Sequence, residues 1–173
     1  MKTLAFTSMI YLCLVGLPTI AASFRWDAKA AESGVTHIKI NRDDQKMYVY
    51  NKNGLVGSSD ISTGKKGYRT PAGTYQILEK HAVKRSNRYG RILNHYSGKV
   101  LDSDAAFKDR VPQGAYFQGG VMRYFMRLTH TGIGIHEGHV PNRPASHGCI
   151  RVPKGFAAKI FSATPRDAAI TII

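Results

Sequence analysis

The chain has 173 residues, 43% of them hydrophobic and 21% charged, a size and mix that fold as one globular domain with a full core. Seventeen Gly and seven Pro are scattered and aromatics reach 10%, which excludes disordered and collagen-like chains. Lys and Arg outnumber Asp and Glu by 25 to 11, a formal charge of +14, so an anionic partner is expected: nucleic acid, an anionic membrane face or an acidic polymer.

The first residues narrow that choice. Lys2 precedes an apolar run from Leu4 to Leu17, and Pro18 and Ala21-Ala22-Ser23 follow. A positive end, a short apolar stretch and small residues at the exit read as a secretory signal peptide over 1–23, cleaved after Ser23. The run is too short for a transmembrane helix. Ile10-Tyr11-Leu12 before Cys13 lack the small residues of a lipoprotein cleavage box. Export argues against nucleic acid as a partner and directs the chain to the periplasm or cell wall. Removing the leader lowers the charge from +14 to +13 and takes Cys13 with it. Cys149 is then a lone cysteine in an exported domain, where pairing is the ordinary use, so it is either buried and inert or reactive.

Residues 24–34 are small and polar and read as a connector, and the domain is expected over 35–173. Val35–Ile40 alternates with period two, as a half-buried strand does. Lys46–Tyr50 alternates likewise, and Asn53-Gly54 before Leu55-Val56 signals a hairpin. Thr70-Pro71-Ala72-Gly73 is a turn leading into a strand at Thr74–Leu78. From Glu79 to Gly120 the pattern weakens into Arg, Lys, Tyr and Gly, too long for an ordinary loop and suggestive of an insertion or lid. Val121–Thr129 and Ile133–His136 read as strands. Pro153–Ser162 carries Phe156, Ala157, Ile160 and Phe161 at helical spacing, with Pro153 suited to the first turn. Ala168–Ile173 closes as a strand. The expected fold is mostly β, a β-rich α+β domain with one helix.

Chemistry concentrates between Gly134 and Pro153, where three His, one Cys, a Ser and two Arg lie between strands. A thiol works as a thiolate, and its pKa falls beside imidazolium, guanidinium or a helix N-terminus. Cys149 has His147 two residues before, Arg151 two after, and a helix expected from Pro153. Gly148 removes a side chain next to the sulfur and lets backbone N–H groups face an oxyanion. Any one of these residues alone would read as a solvated loop residue; their convergence on the cysteine reads as a nucleophile.

Ser146-His147-Gly148-Cys149-Ile150-Arg151, preceded by Ile135-His136, resembles the signature of the L,D-transpeptidase (YkuD-type) catalytic domain of bacterial cell-wall enzymes. Val35–Tyr50 is similar to that family's opening strands, Ser62-Thr63-Gly64 to its S-T-G element and Thr70-Pro71-x-Gly73 to its T-P-x-G turn. The resemblance covers almost all of the chain after the leader and implies a β-sandwich or barrel with a short helix after the cysteine. It makes Cys149 the nucleophile and His136 the general base and acid, with the Glu137 carbonyl orienting the imidazole. His147 and Arg151 then shape the substrate pocket and hold a carboxylate or polarise a carbonyl, and Ser146, Gly148 and Cys149 supply oxyanion-hole or pocket-wall groups. Nine residues separate His136 from Ser146, and Glu137 stands where a small residue is common; a shorter loop bears on acceptor choice.

The resemblance implies acyl transfer from peptidoglycan stem peptides through a thioester, without cofactor or metal, by a monomer. A stem amine as acceptor gives a 3→3 crosslink, a lysine of an outer-membrane or wall-anchored protein gives anchoring, and water gives L,D-carboxypeptidase or amidase activity. Two rival readings compete. Zinc hydrolysis would draw on His130, His136, His139, His147 and Cys149, but His136-Glu137-Gly138-His139 is one residue short of the helical H-E-x-x-H motif and Pro141 and Pro144 break a helix there. A non-catalytic wall-binding module would explain charge and aromatics but not the joint presence of Cys149 and His136.

Overall fold

A computed structural model describes residues 23–173; the signal-peptide reading of 1–23 falls almost wholly outside the described residues. The strands are β1 (Phe24–Trp26), β2 (His37–Asn41), β3 (Lys46–Asn51), β4 (Gly54–Asp60), β5 (Gly73–Tyr75), β6 (Glu79–Asn94), β7 (Val100–Ala106), β8 (Ala115–Arg127), β9 (Gly134–Glu137), β10 (Ile150–Val152) and β11 (Ala169–Ile172). Two helices, α1 (Ala28–Ala31) and α2 (Phe156–Ala163), complete the described elements. The strands form two sheets, ordered β1-β4-β3-β2-β11-β5 and β10-β9-β8-β6-β7. The mostly β architecture expected from the sequence is the one observed.

The first sheet follows its alternation. Ile38 and Ile40 on β2, Met47 and Val49 on β3, and Ile170 and Ile172 on β11 all face inward and are buried, while the residues between them are exposed or half-buried. Asn51 pairs with Gly54 across the β3–β4 turn, and the Asn53 N–H donates to Asn51 Oδ1 at 2.8 Å. Ile135 and Ile150 from the second sheet and Phe156 and Ile160 from α2 join these side chains in one continuous core.

Three expectations change. Residues 24–34 are part of the domain: β1 pairs with β4 as the edge strand of the first sheet, and the Phe24 and Trp26 rings lie 5.4 and 5.9 Å from the buried Phe156 ring. Aromatic burial against the helix holds a stretch whose composition suggested a connector. The helix starts at Phe156 rather than Pro153, because Gly155 at its N-cap has φ 86°, a conformation that breaks the right-handed path. The weak pattern of 79–120 is not irregular chain. Most of it is β6, β7 and the first half of β8, paired antiparallel in register from Glu79↔Arg127 to Asn94↔Ala115 with a shift between Arg85 and Gly90. The alternation fails there because the strands are exposed on both faces over much of their length. Lys80 on β6 donates to the carbonyls of Phe161 and Thr164, placing a cation where the last turn of α2 leaves acceptors unpaired.

Candidate active site

β9 and β10 lie parallel, with Ile150 opposite Ile135 and Arg151 opposite His136. Parallel neighbours need a long connection, and residues 138–149 supply it. Side chains opposite one another share a face, and residues two apart along a strand share it too. The pairing therefore puts His136 and Arg151 side by side, with Cys149 just before β10 on the same side. All three line a cleft of about 880 Å³, together with Ser146, His147 and Glu137.

The connection is fastened by the S-T-G segment. Ala145 and Ser146 N–H groups both donate to the Thr63 carbonyl, at 2.9 and 3.0 Å, and Ser62 exchanges two backbone hydrogen bonds with Arg151. Ser62 Oγ donates to the Arg143 carbonyl at 2.7 Å. The buried Thr70 hydroxyl accepts from Gly64 N–H at 2.9 Å and donates to the Gly148 carbonyl at 2.7 Å. Gly64 allows this approach, because a Cβ there would lie 1.8 Å from the Tyr68 carbonyl oxygen. The two motifs upstream of the cysteine thus act as backbone clamps on its loop.

Ser146, which lines the cleft, and Gly148 fix the shape of the cysteine turn. Ser146 is buried; its hydroxyl donates to the Cys149 carbonyl at 2.5 Å and accepts the Gly148 N–H at 3.0 Å. It holds the turn, and it occupies the Gly148 N–H that was a candidate oxyanion donor. Gly148 has φ 113°, and a Cβ there would meet Ile133 and the Tyr68 carbonyl only at ordinary contact distance, 3.5–3.6 Å, so glycine is required by the backbone conformation rather than by crowding.

His136 is 8% exposed, and its Nδ1 lies 2.7 Å from the Glu137 carbonyl oxygen. A carbonyl can only accept, so Nδ1 carries the proton and Nε2 keeps its lone pair. Burial, aided by the nearby Arg151 charge, lowers the His136 pKa to about 4 against the opposing pull of that hydrogen bond. The imidazole is a neutral base at neutral pH.

The thiol differs from expectation. Burial raises the Cys149 pKa, and the opposing effects of a backbone hydrogen bond and the Arg151 charge are smaller. Two of its expected activators bring no positive charge to it. His147 stacks on Tyr89 with ring centroids 4.1 Å apart and an interplanar angle of 5°, and meets the Tyr68 ring edge-on at 4.7 Å. Burial keeps the His147 pKa low even though Asp104 lies 3.5 Å from Nε2, so it supplies no imidazolium at neutral pH. Helix α2 begins beyond β10, whose three residues carry the chain about 10 Å away. Cys149 and His136 therefore rest as a neutral pair.

Segment 79–120 contributes Lys84, Arg88, Tyr89, Arg91 and Asp104 to the cleft. Lys80, Lys99, Lys108 and Arg110 from the same stretch do not line it, and neither does the exposed His139. Tyr96 is 87% exposed, and Phe117 packs on Phe107 with centroids 5.7 Å apart. Thr70, Tyr68, Lys65 and Asp104 escaped the sequence reading as site residues. Thr70 carried a signal in its turn motif; Asp104, in a pattern-poor stretch, carried none.

The L,D-transpeptidase catalytic domain (YkuD) family model matches residues 35–172. The chain belongs to this family. Solved structures agree in fold. An L,D-transpeptidase from Mycobacterium smegmatis superposes with a TM-score of 0.61 at 19% identity, covering 92% of this chain and 80% of its own. The catalytic domain of the Enterococcus faecium L,D-transpeptidase gives 0.55 at 21% identity, over 80% of this chain and 96% of its own. An L,D-transpeptidase in complex with imipenem gives 0.60 at 19% identity over 81% of this chain. The chain spans 60% of the length of that last protein and 55% of one from Stackebrandtia nassauensis. No curated protein sequence matches the chain significantly. At these identities the superpositions speak for the fold, and the family assignment rests on the domain match.

Proposed function

We propose that this L,D-transpeptidase-family domain is an exported cysteine acyltransferase acting on peptidoglycan stem peptides. The observation that carries the reading is the fixed imidazole. Its Nδ1–H is committed to the Glu137 carbonyl, which leaves Nε2 free as a base, and His136 and Cys149 line one cleft. A neutral His beside a neutral thiol suits a base that takes the proton as the substrate arrives.

In the proposed first step, His136 Nε2 takes the Cys149 proton and the sulfur attacks the carbonyl between the third and fourth stem residues. The C–N bond breaks, the imidazolium protonates the leaving amine, and a thioester remains. In the second step an acceptor amine attacks the thioester, gives a proton to His136, and the imidazolium returns it to the departing sulfur. The Cys149 amide at the head of β10 is our choice of oxyanion donor, since the Gly148 N–H is occupied by Ser146. Arg151 beside the pair steadies developing negative charge. Export by the N-terminal leader and the net positive charge would bring the domain to a carboxylate-rich wall.

Intact-mass measurement after imipenem treatment tests the nucleophile. A covalent adduct on the protein, absent from Cys149→Ala, is expected; an adduct retained by that variant, or none on the parent chain, overturns the reading. Muropeptide products from a tetrapeptide donor then tell amide transfer from hydrolysis.

A further inference from the structure

The cleft is rich in cations, yet Asp104 on β7 projects a carboxylate into it. That carboxylate is 61% exposed and already holds an ammonium: Lys65 Nζ donates to Asp104 Oδ2 at 2.6 Å. The same Nζ stands 5.6 Å from the centroid of the Tyr68 ring. His147 Nε2 lies 3.5 Å from the other carboxylate oxygen, and Arg151 also feels its charge. Carboxylate on one side and aromatic face on another is the chemistry that recognises a primary ammonium. Here the occupant is the end of a flexible alkyl chain belonging to the protein itself.

We propose that Asp104 and Tyr68 form the seat for the side-chain ammonium of the acyl acceptor, a lysine-like or diamino-acid chain, and that Lys65 holds the seat until the acceptor displaces it. The inference rests on the cysteine acyltransferase reading and deepens it. Three observations carry it. Asp104 and His147 line the same cleft as Cys149. The occupying group is chemically what the second half-reaction consumes. Lys65 follows the S-T-G clamp directly, with its own N–H donating to the Ser146 carbonyl at 2.9 Å, so its backbone is tied to the cysteine loop. The seated ammonium must shed one proton to solvent before it can attack. The resulting amine then forms the new C–N bond as the C–S bond breaks, and its second proton passes through His136 to the Cys149 sulfur.

The experiment separates the two half-reactions. The full chain is loaded with a tetrapeptide donor stem, and thioester formation is followed by intact mass. Nα-acetyl-lysine amide is then titrated as acceptor, with water as the internal competitor. Asp104→Asn is expected to raise the acceptor KM about threefold to fivefold, the size of a half-exposed ion pair. Asp104→Glu should restore most of it. Lys65→Met should lower the acceptor KM by a similar factor, because it vacates the seat. Hydrolysis of the thioester should change less than aminolysis in each variant. Acceptor KM unchanged in both Asp104→Asn and Lys65→Met overturns the seat. So do parallel changes in hydrolysis and aminolysis, which would mark Asp104 as a structural tie between β7 and the loop. Failure of the parent chain to form a thioester sinks the acyltransferase reading and this inference with it; failure confined to acceptor KM sinks this inference alone.

Discussion

The two sheets solve different problems with the same element. In the first sheet, β2, β3 and β11 each bury alternate aliphatic side chains, and the strand is held by the core beneath it. In the second, β6 and β7 are longer or more exposed, carry Arg, Lys, Tyr, Asp and Gly, and hold their place by pairing and by the cleft they border. Burial of apolar area, at about 25 cal/mol per Å², stabilises the first kind of strand far more than the second. The second kind is released from packing and free to present polar chemistry. Substitutions in β2, β3, β11 and α2 should therefore move stability, and those in β6 and β7 should move chemistry.

The largest test of that division is Cys149→Ala. Turnover should vanish while the melting temperature stays within a few degrees of the parent, measured by product analysis and calorimetry; a collapsed fold would show the cysteine loop to be a stability element. Next comes His136→Ala, expected to lose about a hundredfold or more in acylation rate, since general base catalysis contributes on that scale. Near-normal acylation by this variant alongside a damaged His139→Ala would point to the wrong histidine.

On the packing side, Phe156→Ala should cost about 3–5 kcal/mol in denaturant unfolding, the range for a fully buried Phe, and leave the intrinsic reactivity of the folded fraction toward imipenem intact. Val83→Ala on β6, at a position 57% exposed, should stay within about 0.5 kcal/mol. Equal costs at the two positions would erase the contrast between the sheets.

A smaller effect joins chemistry to stability. The His136 pKa is lowered on folding, to about 4 from an unfolded value near 6.5. Below about 6.5 the unfolded chain binds a proton that the folded chain does not, so this contribution is fully present above that pH. It is lost as pH falls toward 4, a difference on the order of 3 kcal/mol at full extent. Urea titrations at pH 7.5 and 5 should show it, and His136→Gln should flatten the dependence. Tyr89→Ala removes the ring stacked on His147. It should cost about 1 kcal/mol and weaken turnover of polymeric substrate more than reaction with a small β-lactam. Equal loss of the two activities would make β6 a support for the core.

The same division explains what could be read from the chain. Val35–Ile40 and Lys46–Tyr50 announced themselves because one face is buried and one wet, which writes period two into the residues. Asn53-Gly54 located their hairpin through turn chemistry alone. The cysteine, the histidine and the motifs around them were visible as a local cluster of reactive types, and the family they resemble is the one whose model matches residues 35–172. β6 and β7 left no such trace, since a strand bordering a wet cleft has no apolar face to alternate. Thr70 looked like a turn residue, and its hydroxyl bridge between Gly64 and Gly148 needs two loops brought together from 78 residues apart.

The amino-acid sequence by itself determined the core strands, the helix after the cysteine and the chemistry-bearing residues, because local periodicity and residue type are sufficient for each. Tertiary structure alone decided how those residues are used. Parallel pairing of β9 with β10 sets His136 beside Arg151, and the Glu137 carbonyl takes its Nδ1–H and leaves Nε2 free in the cleft that Cys149 also lines. Burial raises the thiol pKa that neighbouring residues were expected to lower, and stacking on Tyr89 withdraws His147 from its expected part. Pairing of β6 with β7 and β8 carries Asp104 from a featureless stretch to the ammonium of Lys65. Such facts depend on which distant groups share a place and how much water they exclude, and no local pattern of residues records either.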